Sequence, residues 1–305
     1  MTKLSPLASV SETRAVLEAH GLSTKYSLGQ NFLINDAILQ KIVALADLAP
    51  DDYVLEVGPG IGTLTIALLK TAGRVLSVER DPDLPAVLVE TLAPWADRFT
   101  LISKDALDLT TKDVQAARAE ASGALPNKFV ANLPYAVAAT VVLDYFELFP
   151  SLDSATIMVQ KEVADRMAAL PGSKNYGAYT VKLRLYAEPA GRFAVGPGNF
   201  FPPPRVESAV LRLNRRPVFD DQGVPLDADA IGAACTMAEA AFATRRKTLS
   251  NSCKTYFAGR GAAGARIIAA LPQLFERAGV DPKLRGETLD VPAFVRLGKA
   301  YQDLA

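Results

Sequence analysis

The chain has 305 residues, half of them hydrophobic, with 33 basic and 33 acidic side chains and a formal net charge of zero. That length suits two domains better than one core, and the charge balance excludes a protein held to nucleic acid or membrane by bulk charge while allowing a local basic patch. Two cysteines, Cys235 and Cys253, and one histidine, His20, give neither a disulfide framework nor a metal spacing, so a reduced, cytoplasmic setting without metal is expected.

The N-terminal stretch "MTKLSPLASVSETRAVLEAH" lacks the apolar run of a signal peptide. No segment approaches the roughly 18 apolar residues of a membrane helix. After "TKYSLGQNFLIND", Asp36 reads as an N-cap, and Ile38, Leu39, Ile42, Leu45 and Ala46 follow at helical spacing. Strands and helices then alternate. Tyr53–Gly58 is a β-rich run ending in glycine, Thr63–Lys70 is helical, and Arg74–Glu79 is the next strand. "PDLPAVLVETLA" is helical, "FTLISKDAL" carries a third strand and "KFVANLPY" a fourth, with 110–126 as a connecting helix between them. "ATVVLDYFELF" is helical, "SATIMVQKEVADRMAAL" runs from strand into helix, and "YGAYTVKLRLYAE" and "ESAVLRLNR" read as late strands. Short buried strands alternating with helices predict an α/β fold with a mostly parallel sheet covered on both faces. Near Pro217 the texture changes: "RRPVFDDQGVPLD" reads as a linker, and beyond it the pattern is Ala-rich and helical. The expected domains are residues 1–216 and 217–305.

Four features fall at the carboxyl ends of successive strands, the edge where open α/β sheets bind ligands. Gly58, Gly60 and Gly62 form G-x-G-x-G between a strand and a helix, a spacing unlike the dinucleotide fingerprint. Glu79 ends the next strand, where an acid can accept from a ribose diol. Asp105 ends the third, where it can accept from an adenine amine. Each taken alone also reads as a tight turn or a solvated strand end. Asn132-Leu133-Pro134-Tyr135 ends the fourth. The Asn132 oxygen and the Leu133 carbonyl could accept both N–H bonds of an aromatic amine, whose lone pair is otherwise delocalised into the ring. Pro134 stiffens the turn, and Tyr135 could stack on the base. A second aromatic, Phe200 or Phe201, precedes the proline run of "GNFFPPPRVESAVLRL". Between Glu239 and Arg266 the bases Arg245, Arg246, Lys247, Lys254, Arg260 and Arg266 face one acid, so a helix there could grip phosphates.

This order resembles the class I S-adenosylmethionine-dependent methyltransferases, and NLPY is similar to the (N/D)-P-P-(Y/F) signature of enzymes that methylate exocyclic amines. "YSLGQNFLIN", "LEVGPGIGTLT", "VANLPY", "MVQKEVADRMAALPGSKNYGAYTV", "FFPPPRVESAVLRL" and "AFATRRKTLSNS" together resemble the KsgA-type small-subunit ribosomal RNA adenine dimethyltransferases. The resemblance implies a Rossmann-like methyltransferase domain and a small helical C-terminal domain that binds rRNA through Arg245, Arg246, Lys247 and Lys254. It implies transfer of two methyls to each of two adjacent adenosines in the 3′-terminal hairpin loop of small-subunit rRNA, late in 30S assembly, by a monomer. Gln30, Asn31, Leu33, Glu56, Gly58 and Gly60 would then line the donor, S-adenosylmethionine. Glu79 with Arg80 would hold its ribose, Asp105 with Ala106 its adenine, and Asn132 would border it. Asn132, Leu133, Pro134 and Tyr135 would hold the target amine, with Phe200 as the opposing stack. The competing readings are a large-subunit rRNA dimethyltransferase, a non-catalytic assembly factor and a nicotinamide dehydrogenase.

Overall fold

A computed structural model describes residues 3–25, 29–120 and 124–304 of the chain. The chain clusters into two compact units: Met1–Ala164 with Pro189–Arg215, and Asp165–Glu188 with Arg216–Ala305. The expected partition into 1–216 and 217–305 differs from this one by the segment Asp165–Glu188 and by Arg216, which group with the C-terminal residues.

The elements in chain order are α1 (Val10–Ala19), β1 (Phe32–Leu33), α2 (Asp36–Ala46), β2 (Tyr53–Val57), α3 (Thr63–Leu69), β3 (Arg74–Glu79) and α4 (Leu84–Thr91). There follow β4 (Phe99–Ser103), α5 (Thr111–Glu120), β5 (Lys128–Asn132), α6 (Ala138–Leu148), β6 (Ser154–Gln160), α7 (Lys161–Met167) and α8 (Ala178–Arg184). The last are β7 (Ala187–Val195), β8 (Phe200–Phe201), β9 (Ser208–Arg215), α9 (Ala228–Phe242), α10 (Leu249–Ala258), α11 (Gly261–Ala278) and α12 (Val291–Gln302).

A seven-stranded sheet has the order β4-β3-β2-β5-β6-β9-β7. β2 to β6 pair in parallel and β9 runs antiparallel to β6. The strand order therefore reverses between β2 and β5, and the crevice of the fold opens there, beyond the strands' carboxyl ends. β2 is buried at every position, as expected of a parallel strand covered on both faces. Leu39, Ile42, Leu68, Val75 and Val87 pack in the apolar core on one side of it. A separate antiparallel pair joins β1 to β8, with Phe32 opposite Phe201 and Leu33 opposite Phe200.

Two local expectations change. The N-cap of α2 is Asn35, whose side chain accepts from the Ala37 N–H. Asp36 instead accepts from the N–H groups of Leu4 and Ser5, at 2.8 and 3.0 Å, and so fastens the N-terminal residues. Of the stretch "YGAYTVKLRLYAE" read as a strand, only Ala187 and Glu188 belong to a strand, β7, and Ala178–Arg184 is helix α8. Its N–H groups close on local carbonyls, Val181 on Gly177 and Leu185 on Val181. Thr180 Oγ1 donates to the Arg166 carbonyl at 2.8 Å. Seven residues are too few for a period of two to be told from a buried helical turn.

In the second unit, α8 to α12 enclose one apolar cluster that includes Tyr176, Val181, Met237, Phe257, Leu271 and Phe294. Tyr176 Oη donates to the Leu289 carbonyl at 2.8 Å. The "RRPVFDDQGVPLD" stretch folds as a tight excursion in which Phe219 bridges Pro225. No helix among the described residues is long and apolar enough to cross a membrane.

Candidate active site

A cleft of about 630 Å³ lies at the carboxyl ends of the parallel strands in the first unit. β2 delivers the chain into its floor. Gly58, Gly60 and Gly62 have φ of 70°, 60° and 90°, a region that side-chain-bearing residues resist. At Gly60 space adds a second requirement, because a Cβ there would stand 3.0 Å from the Phe32 ring. The Gly58 N–H donates to the Val78 carbonyl at 3.0 Å, which fixes the loop to β3.

Glu79 lines the cleft at the end of β3. Burial raises its pKa above the ordinary carboxylate value, against the main-chain N–H groups of Asp81, Arg80 and Gly60, which favour the charged form. Arg80 and Asp105 meet across the cleft wall, Nη1 to Oδ2 at 3.0 Å, while Asp105 Oδ1 caps the Leu107 N–H at 3.0 Å. Ala106, Val78 and Leu84 line the same cleft and add apolar surface to it.

The N-terminal strap forms another wall through Gln30, Asn31 and Leu33. It is held down by Asp81, which is 2 % exposed. Lys25 Nζ donates to Asp81 Oδ1 at 2.6 Å and Gln30 Nε2 to Asp81 Oδ2 at 2.7 Å. Burial alone would raise Asp81, but the bonds from Lys25, the Asp83 N–H and Gln30 hold it below its ordinary value. Gln30 Oε1 also accepts from the Lys25 N–H at 2.9 Å. Tyr26–Leu28 of the "YSLGQNFLIN" motif lie outside the described residues.

Asn132 closes β5. Its Nδ2 donates to the Asn31 carbonyl at 3.2 Å. A carbonyl can only accept, so the amide nitrogen must face the strap, which leaves Oδ1 as the acceptor of this side chain. The turn beyond closes through the Pro134 carbonyl, which accepts from the Val137 N–H at 3.2 Å, and not through that of Leu133. The Leu133 N–H is anchored on the Met158 carbonyl at 3.0 Å. Tyr135 is half-buried, and its Oη lies 2.6 Å from Ser208 Oγ.

Three residue sets stand elsewhere than expected. Glu56 is fully buried and does not reach the cleft. Register places it beside Ser77 on β3, and its Oε2 accepts from Ser77 Oγ at 2.7 Å and Thr65 Oγ1 at 2.8 Å. Burial pushes its pKa up to about 7, against those two hydroxyls. Phe200 is 3 % exposed and packs in the core, because its pairing with Leu33 turns it inward. Pro202, Pro203, Pro204, Arg205 and Val206 line the cleft in its place, and the guanidinium of Arg14 covers the Phe201 ring at 4.9 Å. Arg245, Arg246 and Lys247 lie in the turn between α9 and α10 and not on a helix; they and Lys254 are exposed. Ser252 pins that turn, accepting from the Thr244 N–H at 3.0 Å and donating to the Ala240 carbonyl at 2.8 Å.

Sequence reasoning missed Lys25, Asp81, Gln160 and Ser208. Asp81 carried a signal, standing two residues beyond Glu79. Gln160 and Ser208 come together through sheet register, and Lys25 reaches Asp81 only through the fold of the strap. The donor set fits S-adenosylmethionine: an acid for the ribose diol, an apolar slot beside a second acid for the adenine, and polar strap atoms for the amino-acid end.

The family model described as ribosomal RNA adenine dimethylase matches residues 21–270. The protein of Corynebacterium diphtheriae described as ribosomal RNA small subunit methyltransferase A is 40% identical over 294 residues, covering 94% of this chain and 93% of its own. Among solved structures, a dimethyladenosine transferase from Plasmodium falciparum aligns with a TM-score of 0.70 at 23% identity, over 87% of this chain and 95% of its own. The 23S rRNA methyltransferase ErmE aligns with a TM-score of 0.60 at 26% identity, over 89% of this chain and 100% of its own.

Proposed function

Because the chain belongs to the ribosomal RNA adenine dimethylase family, we propose that it dimethylates the N6 amines of two adjacent adenosines in the 3′-terminal hairpin loop of small-subunit rRNA, late in 30S assembly. The donor is S-adenosylmethionine, which when bound supplies an electrophilic methyl group on a positively charged sulfur.

The chain's own residues do the rest. Glu79 offers a carboxylate to the ribose, and Asp105 and Ala106 border the adenine. Gln30, Asn31, Leu33, Gly58 and Gly60 surround the remaining end of the donor. Asn132 Oδ1 and the Leu133 carbonyl accept the two N–H bonds of the target amine and direct its lone pair across the cleft. They also favour the positive charge that grows on nitrogen as it becomes tetrahedral. Tyr135 stacks on the base. No general base is required, since the methylated amine loses its proton to solvent, and most of the rate comes from in-line placement. Arg245, Arg246, Lys247 and Lys254 would contact phosphates, which position the RNA without reading its sequence.

The observation that carries this reading is the bond from Asn132 Nδ2 to the Asn31 carbonyl, which commits the amide oxygen of Asn132 to the role of acceptor. The small-subunit assignment is supported by 40% identity along nearly the whole of the Corynebacterium diphtheriae protein, against 26% for ErmE.

The test is methyl transfer from labelled S-adenosylmethionine to small subunits lacking the modification, with the digested nucleosides read by mass spectrometry. N6,N6-dimethyladenosine at two adjacent adenosines is the expected product. Binding without transfer would favour an assembly factor, and transfer to large-subunit RNA would favour the ErmE-like activity.

A further inference from the structure

The bond between Tyr135 and Ser208 joins two walls of the cleft. Tyr135 belongs to the Asn132–Tyr135 turn. Ser208 opens β9 two residues after Val206 of the Pro202–Val206 wall. Ser208 is fully buried, and the sheet holds its main chain opposite Gln160 of β6, so its hydroxyl is a fixed point. Tyr135 Oη meets it at 2.6 Å. The ring is thereby held at both ends, at Cβ by the turn and at Oη by the buried serine. The direction of its long axis is set before any base arrives, and less freedom remains to be lost on binding.

We propose that Ser208 is a positioning residue that acts through Tyr135, and that it matters more for the second methyl transfer than for the first. The proposal rests on the reading of Tyr135 as the stacking residue. Each transfer replaces one amine N–H by N–CH3: the methyl leaves a sulfonium, which becomes a thioether, and the proton passes to solvent. An unmodified adenine offers two N–H bonds to the acceptors of Asn132 and Leu133. A monomethylated adenine offers one. In the second round half of the polar clamp is gone, and placement of the nitrogen depends correspondingly more on the stacked ring. A ring released from Ser208 tilts, and the reaction with the weaker clamp suffers most.

The experiment compares Ser208→Ala, Tyr135→Phe and the double variant with the parent protein. Small subunits lacking the modification serve as substrate, and mono- and dimethyladenosine are quantified over time. Tyr135→Phe breaks the same bond from its half-exposed end without creating a buried cavity. In both single variants the first transfer should slow about threefold and the second about tenfold, as expected for the loss of one hydrogen bond. N6-methyladenosine should therefore accumulate. The double variant should be no worse than either single one, and calorimetric affinity for S-adenosylmethionine should stay within about twofold. An unchanged product ratio, equal loss in both transfers, or additive losses in the double variant would overturn the proposal. Tyr135→Ala separates it from the underlying reading: if that variant transfers normally, stacking by Tyr135 is itself wrong.

Discussion

The side-chain nitrogen of Asn132 donates to the main-chain carbonyl of Asn31 at 3.2 Å, across 101 residues of sequence. One bond therefore fixes the rotamer of Asn132, the residue proposed to face the target amine, and ties it to the strap proposed to border the donor. In the proposed mechanism, replacing Asn132 by Ala removes an acceptor used most strongly in the transition state. We expect kcat for methyl transfer to fall roughly 100-fold. Affinity for S-adenosylmethionine, measured by calorimetry, should weaken no more than about fivefold through the loosened strap.

Asp81 is not among the residues that line the cleft, yet it gathers Lys25, Gln30 and the Asp83 N–H on one buried carboxylate. Asp81→Asn keeps the shape and removes the charge. The strap should loosen, raising the Kd for S-adenosylmethionine about tenfold, with a smaller loss in kcat at saturating donor. Because the folded pKa is depressed, the stabilisation is complete above the ordinary value of 3.8 and is lost as pH falls through the folded value.

Glu56 has the opposite sign. Its pKa rises from 4.5 to about 7 on folding, so between those values the folded state holds more protons than the unfolded one. Stability must fall as pH climbs through that window, by about 3 kcal/mol at most, and level off above it. Glu56→Gln abolishes this titration. The variant should lose the fall in Tm between pH 5 and 8 that the parent shows, a comparison that scanning calorimetry makes directly.

Arg245 is engaged by Glu287 and by the carbonyl of Lys174, whereas Arg246 and Lys247 stand exposed in the same turn. Replacing all three by Ala should therefore lower the salt slope of RNA binding by about 2 rather than 3. Filter binding across a salt series checks this, and an unchanged slope would remove the turn from the RNA interface.

Much of this was legible because parallel strands announce themselves. Tyr53–Val57 and Arg74–Glu79 are apolar runs that end in the residues the cleft uses, so strand ends and ligand edge could be read together. What failed was whatever depends on register or on depth. Glu56 sits one strand residue before Val57, but only its neighbours Ser77 and Thr65 reveal that it ties β2 to β3 and α3. Phe200 and Phe201 are adjacent aromatics before a proline, and pairing with β1 decides which of them turns inward. The Lys25–Asp81 pair spans 56 residues, and no local pattern marks it. The segment around Thr180 alternates like a strand, yet it folds as a helix in which Val181 N–H donates to the Gly177 carbonyl and Leu185 N–H to the Val181 carbonyl.

The discontinuity at Asp165–Glu188 bears on how the protein can be divided. A fragment ending at Arg215 looks like a ready-made catalytic half, but it would keep that segment and lose its companions. Ala169, Tyr176 and Val181 would be stripped of Met237, Phe257 and Phe294 and left facing water. Such a fragment should be sticky rather than merely inactive. The converse piece, beginning at Arg216, would lack one side of its own core. The two units share a chain that passes between them three times, so neither can be obtained by a single cut.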